Sequence, residues 1–451
     1  MKIVLTRPFY KSHIVTPPLS LGYLAAALNK ADILADIIDG LLLRLNPEPL
    51  AEAIARGKPD AVGITCLTAY YHEVKKLCAA LRKYGFPIIL GGAHPTFLPN
   101  ETLEETGADF VVCGEGEQAL IGLLKNGFDP RHIQGVYGKG KFSRDRQAEL
   151  AVLSGDINDL PFPDWSQMPP AAYPKSPHGA VAKRYPIGII ITSRGCTGKC
   201  AFCAAPALYG GKIRFRSGES VAAEIQWQIE KFKVREIQIE DDNFAASKTH
   251  VEETCSAIAS LPVRVPWSCP NGLRADCIDQ DLLKCMKQAG CYMVSFGVES
   301  ASNVILKRSG KNETIEQIEH AINLADRVGL ITHGFFIFGL PGETTETIKT
   351  TIRFASRSRL RRAQFLILDV LPGSRLWKDL AFTPNWGKES FTEPEWIPPG
   401  LSRNVLIAAQ KRAFQEFYKH PGRIFGLLAL LRPGQIPFLL RRLSSFRLLP
   451  M

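Results

Sequence analysis

Short apolar runs alternate with stretches of helical period along two long parts of the chain. In residues 1–126 the strand candidates are Ile3–Thr6, Ile33–Ile38, Ala61–Thr65, Pro87–Leu90 and Asp109–Cys113. Between them Leu19–Leu28, Pro49–Arg56, His72–Tyr84, Asn100–Thr106 and Glu117–Leu124 carry the spacing of helices. Strand–helix alternation of this kind predicts a parallel sheet with crossover helices. Such doubly wound domains bind ligands beyond the carboxyl ends of their strands. Those ends hold Arg7-Pro8, Asp39-Gly40, Thr65-Cys66, Gly91-Gly92-Ala93-His94-Pro95-Thr96 and Gly114-Glu115-Gly116-Glu117, where the glycines allow tight turns and close backbone approach.

Residues 127–185 break the rhythm. Gly135–Gly140 predicts a small hairpin, and Leu160-Pro161-Phe162-Pro163-Asp164-Trp165 an extended linker with restricted backbone. The alternation resumes from Tyr185 to about Leu380, with strands expected at Ile187–Thr192, Glu236–Glu240, Pro266–Ser268, Tyr292–Gly297, Thr332–Phe338 and Ala363–Leu371. After residue 385, Trp386 and Trp396 stand among prolines and suggest an irregular cover segment for the barrel mouth. Leu401–His420 has an amphipathic period.

The chain has 451 residues, 45% apolar and 22% charged, which suits two or three globular domains. Eleven cysteines in so long a chain, starting directly in a strand with no signal peptide before it, point to a reducing cytoplasm rather than a disulfide framework. The net charge of +11 raises the question of nucleic acid. The excess gathers at Arg357, Arg359, Arg361 and Arg362 and in the last thirty residues (Arg423, Arg432, Arg441, Arg442, Arg447), and no nucleic-acid module is recognisable. Nucleic acid is therefore not the expected partner. The tail from 424 to 448 suits two roles: a basic amphipathic segment lying on the inner face of the cell membrane, or packing against the protein body.

The loop leaving Ile187–Thr192 carries Cys196-Thr197-Gly198-Lys199-Cys200-Ala201-Phe202-Cys203. Three thiolates spaced Cys-x3-Cys-x2-Cys are too many for a redox dithiol. They are one short of the four that normally hold an iron–sulfur cluster, so one iron stays open to a non-protein ligand. On residues alone the alternatives are a zinc knuckle, which would want a fourth Cys or His that is missing between Cys203 and His250, and three buried thiols.

With Phe202 before its last cysteine, the motif resembles that of the radical SAM enzymes, whose open iron binds S-adenosylmethionine (SAM). The order Pro17-Pro18-Leu19-Ser20-Leu21-Gly22, then Gly91-Gly92-x-His94-Pro95, then Gly114-x-Gly116-Glu117, resembles the cobalamin-binding radical SAM family over most of residues 1–385. The resemblance implies an α/β chain with four parts. They are a flavodoxin-like cobalamin-binding domain over 1–145, a linker over 146–185, a partial (β/α)6 TIM-type barrel over 186–385, and a mainly helical cover with a basic tail over 386–451.

Site roles follow from the same resemblance. Cys196, Cys200 and Cys203 would hold a [4Fe–4S] cluster. Asp241 or Asp242 would meet the SAM amino group, Glu299 the ribose hydroxyls and Lys311 the SAM carboxylate. Arg274 is a further contact, and the backbone at Ile337–Gly339 and Leu371 would frame the adenine with Phe202. Cobalamin would lie against Thr65, Gly91, Gly92, His94, Gly114, Glu115 and Gly116. The Asp-x-His-x-x-Gly segment that ligates cobalt from below in cobalamin mutases does not occur. The cofactor would then be bound base-off, with His94 in the nucleotide-tail pocket or capping a turn; a degenerate domain that binds none is the alternative. On residues alone Asp242 and Glu299 also suit capping or ion pairing, and Lys311 a solvated loop.

The chemistry implied is methylation of an unactivated carbon, or phosphorus, in a small-molecule or lipid intermediate, with flavodoxin or ferredoxin as reductant. The alternative is a cobalamin-dependent radical enzyme that closes, contracts or oxidises a ring without methyl transfer. Methylthiolation of tRNA would want a second cysteine triad, and Cys66, Cys78 and Cys113 are too widely spaced for one. A non-catalytic cobalamin carrier would not need the intact cysteine motif. No side chain is assigned as catalytic.

Overall fold

Both stretches of strand–helix alternation fold into parallel sheets. The computed structural model describes residues 1–12, 14–139, 149–152, 155–175, 182–380, 385–386 and 394–423. Two compact units form, one from residues 1–173, 204–211 and 371–392, the other from 174–203, 212–370 and 393–451. Among the described residues no helix is long and apolar enough to cross a membrane.

The first unit contains β1 (Lys2–Arg7), β2 (Leu34–Asp39), β3 (Ala61–Thr65), β4 (Ile88–Gly91) and β5 (Phe110–Val112), parallel and ordered β2-β1-β3-β4-β5. Helices at Leu19–Lys30, Pro47–Arg56, Tyr71–Leu81, Pro99–Thr106 and Gly116–Lys125 match the predicted ones. The sheet is buried on both faces, which is why β1 is apolar throughout: Val4 enters one core cluster, Ile3 and Leu5 the other. The order reverses at β1/β3, the switch point beyond which ligands of doubly wound sheets lie.

The expected hairpin at Gly135–Gly140 is instead a sixth strand, β6 (Val136–Gly138), antiparallel to β5. Pairing Val136 with Val112 covers an edge that would otherwise expose unpaired backbone. The cover segment also departs from expectation. Trp386 packs into the first unit's own core, edge-on to His94, because Cys66, Tyr71 and Leu90 offer it an apolar wall.

The second unit begins with β7 (Ile187–Ile190), followed by a small antiparallel pair, β8 (Ser193–Arg194) and β9 (Arg214–Phe215). β10 (Glu236–Ile239), β11 (Trp267–Leu273), β12 (Cys291–Glu299), β13 (Ile331–Phe338) and β14 (Arg362–Ile367) complete a six-stranded parallel sheet in sequential order. That is the topology of a partial (β/α)6 barrel. Ile237, Val294, Phe296, Phe336, Phe338 and Phe365 pack with the helices in one core. Strand alternation turns Gln238, Ser295, Gly297, Glu299 and Ile337 to the opposite face. β11 runs past its expected end at Ser268, because register shifts between Cys269 and Gly272 accommodate Pro270 within a bulged strand. β14 stops at Ile367, short of Leu371; Pro372 has no N–H to continue a ladder, and Gly373 turns at φ +82°.

The basic residues are more engaged than their clustering suggested. Arg359 and Arg361 both pair with Asp326, at 3.1 and 3.0 Å. Arg423 donates to the carbonyls of Ala355, Ser356, Ser358, Leu360 and Phe417, with its guanidinium 3.9 Å from the Phe417 ring. It thus caps the carboxyl ends of two helices, Thr345–Arg357 and Arg403–Tyr418. The second of these buries Leu406, Ala409, Ala413 and Phe417, the expected amphipathic face. The tail call on 424–448 lies outside the described residues.

Arg423→Ala should cost about 2 kcal/mol, the scale of charge-assisted hydrogen bonds. The loss should appear as weakened amide hydrogen-exchange protection confined to 403–418 and the end of 345–357. A second expectation concerns Glu236, buried at the amino end of β10, where it accepts bonds from Tyr292 Oη (2.5 Å) and Arg184 N–H (2.6 Å). Burial outweighs those bonds and lifts its carboxyl to about 7. The folded state therefore holds a proton that the unfolded chain releases near pH 4.5, so stability falls as pH rises from about 4.5 to 7. Glu236→Gln should flatten that decline in melting temperature; an unchanged slope would refute the assignment.

Candidate active site

The cysteine loop leaves β7 through Gly195, whose φ of +102° makes the turn. Cys196, Cys200 and Cys203 are all half-buried free thiols. The loop holds its own shape: Gly198 N–H donates to Cys196 Sγ at 3.3 Å and Cys203 N–H to the Cys200 carbonyl at 3.2 Å. Ala201 N–H donates to the Ser309 carbonyl at 2.7 Å, tying the loop to the segment after β12. Burial raises the Cys200 thiol, an upward shift that Lys311 and Arg274 oppose without reversing. Among the described residues no three His, Cys, Asp or Glu side chains converge as a single-ion site.

The two candidate aspartates occupy opposite environments. Asp241 is buried and already bonded: it accepts from Thr192 N–H (2.6 Å), Thr192 Oγ1 (2.5 Å) and Ser193 Oγ (2.7 Å). Its carboxyl is pushed up to about 6 by burial, against those bonds. It fastens the end of β10 to the chain leaving β7, and that work occupies both oxygens. Asp242 is exposed at the strand end, and its carboxyl is raised by desolvation while a Gly195 backbone bond lowers it.

The end of β12 carries a buried charge network. A register shift against β13 between Gly297 and Glu299, with Glu299 at φ +61°, swings the Glu299 side chain across the strand end. Lys311 Nζ lies 3.3 Å from Glu299 Oε1 and 3.3 Å from Glu313 Oε2. Burial works against the lysine's charge, yet the two carboxylates hold its pKa above the ordinary range. A methyl group on Gly297 would come within 2.5 Å of Glu299 Oε1 and 2.7 Å of Lys311 Nζ, so glycine is what lets the pair lie over the strand.

Arg274 is bidentate to Asp276 (3.0 and 2.6 Å) and donates to the Lys311 carbonyl at 3.1 Å. These bonds make it a brace for the 311 segment rather than a free cation. The adenine candidates divide. Ile337 is half-buried on the inner face of β13, and Phe202 is half-buried in the cysteine loop. Gly339 is buried, and its N–H is taken by Glu343 Oε2 at 2.5 Å. Leu371 belongs to the first unit, in a turn whose carbonyl accepts from Ser374 Oγ at 2.6 Å. Glu313 and Glu343 were not anticipated. Nothing in a single sequence separates them from surface acids, although Glu313 stands two residues from Lys311.

In the first unit Thr65, Gly91, Gly92, Gly114, Glu115 and Gly116 are half-buried at the carboxyl ends of the strands or just beyond. Gly92 sits at φ +107° with a Cβ position 2.7 Å from the Cys66 carbonyl oxygen, so no side chain fits there. Thr96 Oγ1 donates to the Gly92 carbonyl (2.7 Å) and accepts from Gly114 N–H (3.0 Å), joining the two glycine turns. His94 does not line an open edge. It is 1% exposed, stacked at 3.9 Å on Tyr71, with Nδ1 bonded to Thr68 Oγ1 at 3.1 Å. Burial pushes its pKa down to about 3, so it is a neutral core histidine.

The donor chemistry fits the groups implied. Three thiols lie on one loop. Glu299 Oε2 makes no bond among the described residues, and as a carboxylate it is an acceptor with capacity for hydroxyls. Over Gly91 an added methyl would meet a single atom within 4 Å, the Val112 carbonyl oxygen at 3.9 Å, an ordinary contact.

A model of the B12 binding domain matches residues 11–124, and one of the radical SAM superfamily matches residues 190–355. The chain is 31% identical over 439 residues to an uncharacterized methyltransferase of Pyrococcus horikoshii, covering 93% of each. It is 27% identical to the cytidylyl-2-hydroxyethylphosphonate methyltransferase of Streptomyces wedmorensis, over 84% of this chain and 79% of that one. Its fold is similar to that of the radical S-adenosylmethionine methyltransferase TsrM of Kitasatospora setae, with a TM-score of 0.73, 18% identity, and coverage of 96% and 90%. A glycine-edged doubly wound domain, followed by a strand whose exit loop carries three thiols, therefore has a family: the chain belongs to the cobalamin-binding radical SAM enzymes.

Proposed function

We propose that this protein is a cobalamin-dependent radical SAM methyltransferase, acting on an unactivated carbon, or phosphorus, centre of a small-molecule biosynthetic intermediate. The observation that carries this is the coexistence in one chain of a B12-binding domain and a three-thiol loop braced to a buried Glu299–Lys311 pair. A relative named as a methyltransferase, at 31% identity over 93% of each chain, supports methyl transfer over ring formation. Together the bound groups supply a methyl donor and a one-electron route to a carbon radical, which no acid or base of the protein provides at neutral pH.

The chain's own residues bind and orient. Cys196, Cys200 and Cys203 would hold the iron–sulfur cluster, which with only three protein thiolates would have a position open for SAM. Asp242, not the occupied Asp241, is the acid available to the amino group. Glu299 accepts the ribose hydroxyls, and Lys311 offers its charge to the carboxylate. Ile337 and Phe202 supply apolar surface for the adenine. On the first unit the half-buried glycines 91, 92, 114 and 116, with Thr65 and Glu115, form the edge that admits cobalamin. Among the described residues His94 is enclosed, so it is not among the residues that would meet the cofactor directly. The one-electron donor is a flavodoxin- or ferredoxin-type partner.

Replacing Cys196, Cys200 and Cys203 together by Ala should abolish both reconstituted cluster content and 5′-deoxyadenosine formation from SAM under reducing conditions. A triple variant that keeps its iron would move the cluster to other cysteines. With methyl-labelled SAM, the wild-type protein should transfer label to its product and form S-adenosylhomocysteine and 5′-deoxyadenosine in about equal amounts, since each turnover consumes one SAM for each role. An unlabelled product formed with 5′-deoxyadenosine alone would replace methyl transfer by the ring-forming reaction.

A further inference from the structure

The segment Ser309–Glu313 touches three separate parts of the second unit. The Ser309 carbonyl accepts the Ala201 N–H of the cysteine loop. Lys311 Nζ meets Glu299 at the end of β12. Glu313 reaches the turn after β11, where its Oε1 accepts Ala275 N–H at 2.5 Å and Asp276 N–H at 3.2 Å. Its other oxygen forms no hydrogen bond and is held by charge alone, 3.3 Å from Lys311 Nζ and 3.8 Å from Arg274 Nη1. The Glu313 side chain is fully buried, and Lys311 and Glu299 are nearly so.

A carboxylate buried this completely is costly unless its partners are fixed. Here one oxygen is anchored by two backbone N–H groups, so the other occupies a set point. Lys311 has a long, rotatable side chain and only one ammonium. With Glu299 as its sole anion, it would close onto that carboxylate and occupy the acceptor that a ribose diol needs. Because Glu313 draws on the same ammonium from an equal distance, the lysine is shared rather than surrendered.

We propose that Glu313 is a positioning residue for SAM: it shares the Lys311 ammonium with Glu299 and so limits the lysine to one Glu299 oxygen, leaving the other for the ribose while the ammonium stays aimed for the SAM carboxylate. This rests on the assignment of Glu299 and Lys311 to SAM made above. Glu313 itself touches no substrate. It acts through Lys311, and through the β11 turn that Arg274 and Asp276 brace from the other side.

The test is equilibrium binding of SAM to anaerobically reconstituted protein, with iron and sulfide content measured in parallel. Glu313→Gln keeps an oxygen for the Ala275 and Asp276 N–H groups but removes the charge. It should weaken SAM binding by about tenfold, the scale of one lost charge-assisted contact, with cluster content unchanged. Lys311→Met should weaken it at least as much. If Lys311→Met weakens binding and Glu313→Gln does not, the positioning role is overturned while the SAM assignment stands. If neither changes affinity, the assignment of Lys311 to SAM falls and the proposal with it. Should the Gln variant fail to retain iron, Glu313→Asp takes its place, keeping the charge on a shorter arm. It should then shift SAM affinity several-fold at normal iron content, and an unchanged affinity would overturn the proposal.

Discussion

One ammonium group shared between two buried carboxylates governs the strand ends of the second unit. Lys311 cannot leave water without anions, and neither Glu299 nor Glu313 can be buried without a cation. Removing Lys311 leaves two buried carboxylates without their shared cation, and removing either carboxylate leaves the lysine to the other, so their geometry is coupled. The coupling extends outward through ordinary hydrogen bonds, to the cysteine loop at Ala201 and to the β11 turn at Ala275. The left-handed backbone of Glu299, a strained conformation costing about 1–3 kcal/mol, is sustained by that network and by the bulge that delivers it. Strain, bulge and buried charge meet at one strand end.

The first unit reaches a similar end by a different device. Arg7 at the end of β1 is bidentate to Asp39 at the end of β2, both bonds 2.7 Å, and Tyr173 Oη adds a third donor to the same carboxylate at 2.9 Å. That fork fixes one side of the switch point. On the other side the chain has glycine where a side chain would collide with backbone, at Gly92 against Cys66. A rigid charged corner and a bare backbone edge side by side suit a large ligand held by main-chain contacts and shape.

The strand–helix alternation of the parallel sheets and the cysteine loop were legible because they rest on local signals. Runs buried on both faces stay apolar without interruption, and three cysteines in eight residues need no tertiary knowledge. What escaped depends on contacts between distant residues. The strand expected at Pro266–Ser268 runs on to Leu273, and the bulge that absorbs Pro270 appears only once β12 is alongside. Trp386 looked like cover because its partners Cys66 and Tyr71 lie more than three hundred residues earlier. His94 drew a ligand role from its glycine neighbours, but Tyr71 and Trp386 enclose it. Glu313 had no local mark at all. Its meaning comes from two backbone N–H groups nearly forty residues away.

The pair Asp241 and Asp242 shows the same limit at the smallest scale. The residues are chemically identical and adjacent, and side chains of successive residues at a strand end point to opposite sides. One side here is protein and the other is solvent. Asp241 meets Thr192 and Ser193, which supply three donors, and its carboxylate becomes part of the scaffold that fixes where the cysteine loop departs. Asp242, one peptide further, is left open while remaining close to Gly195 at the start of that loop. Because Asp241 fixes the strand end to the chain leaving β7, Asp242 is held at a defined place beside Gly195. The two acids are therefore consecutive parts of one arrangement, the first spending its hydrogen-bonding capacity inward so that the second can direct its own outward.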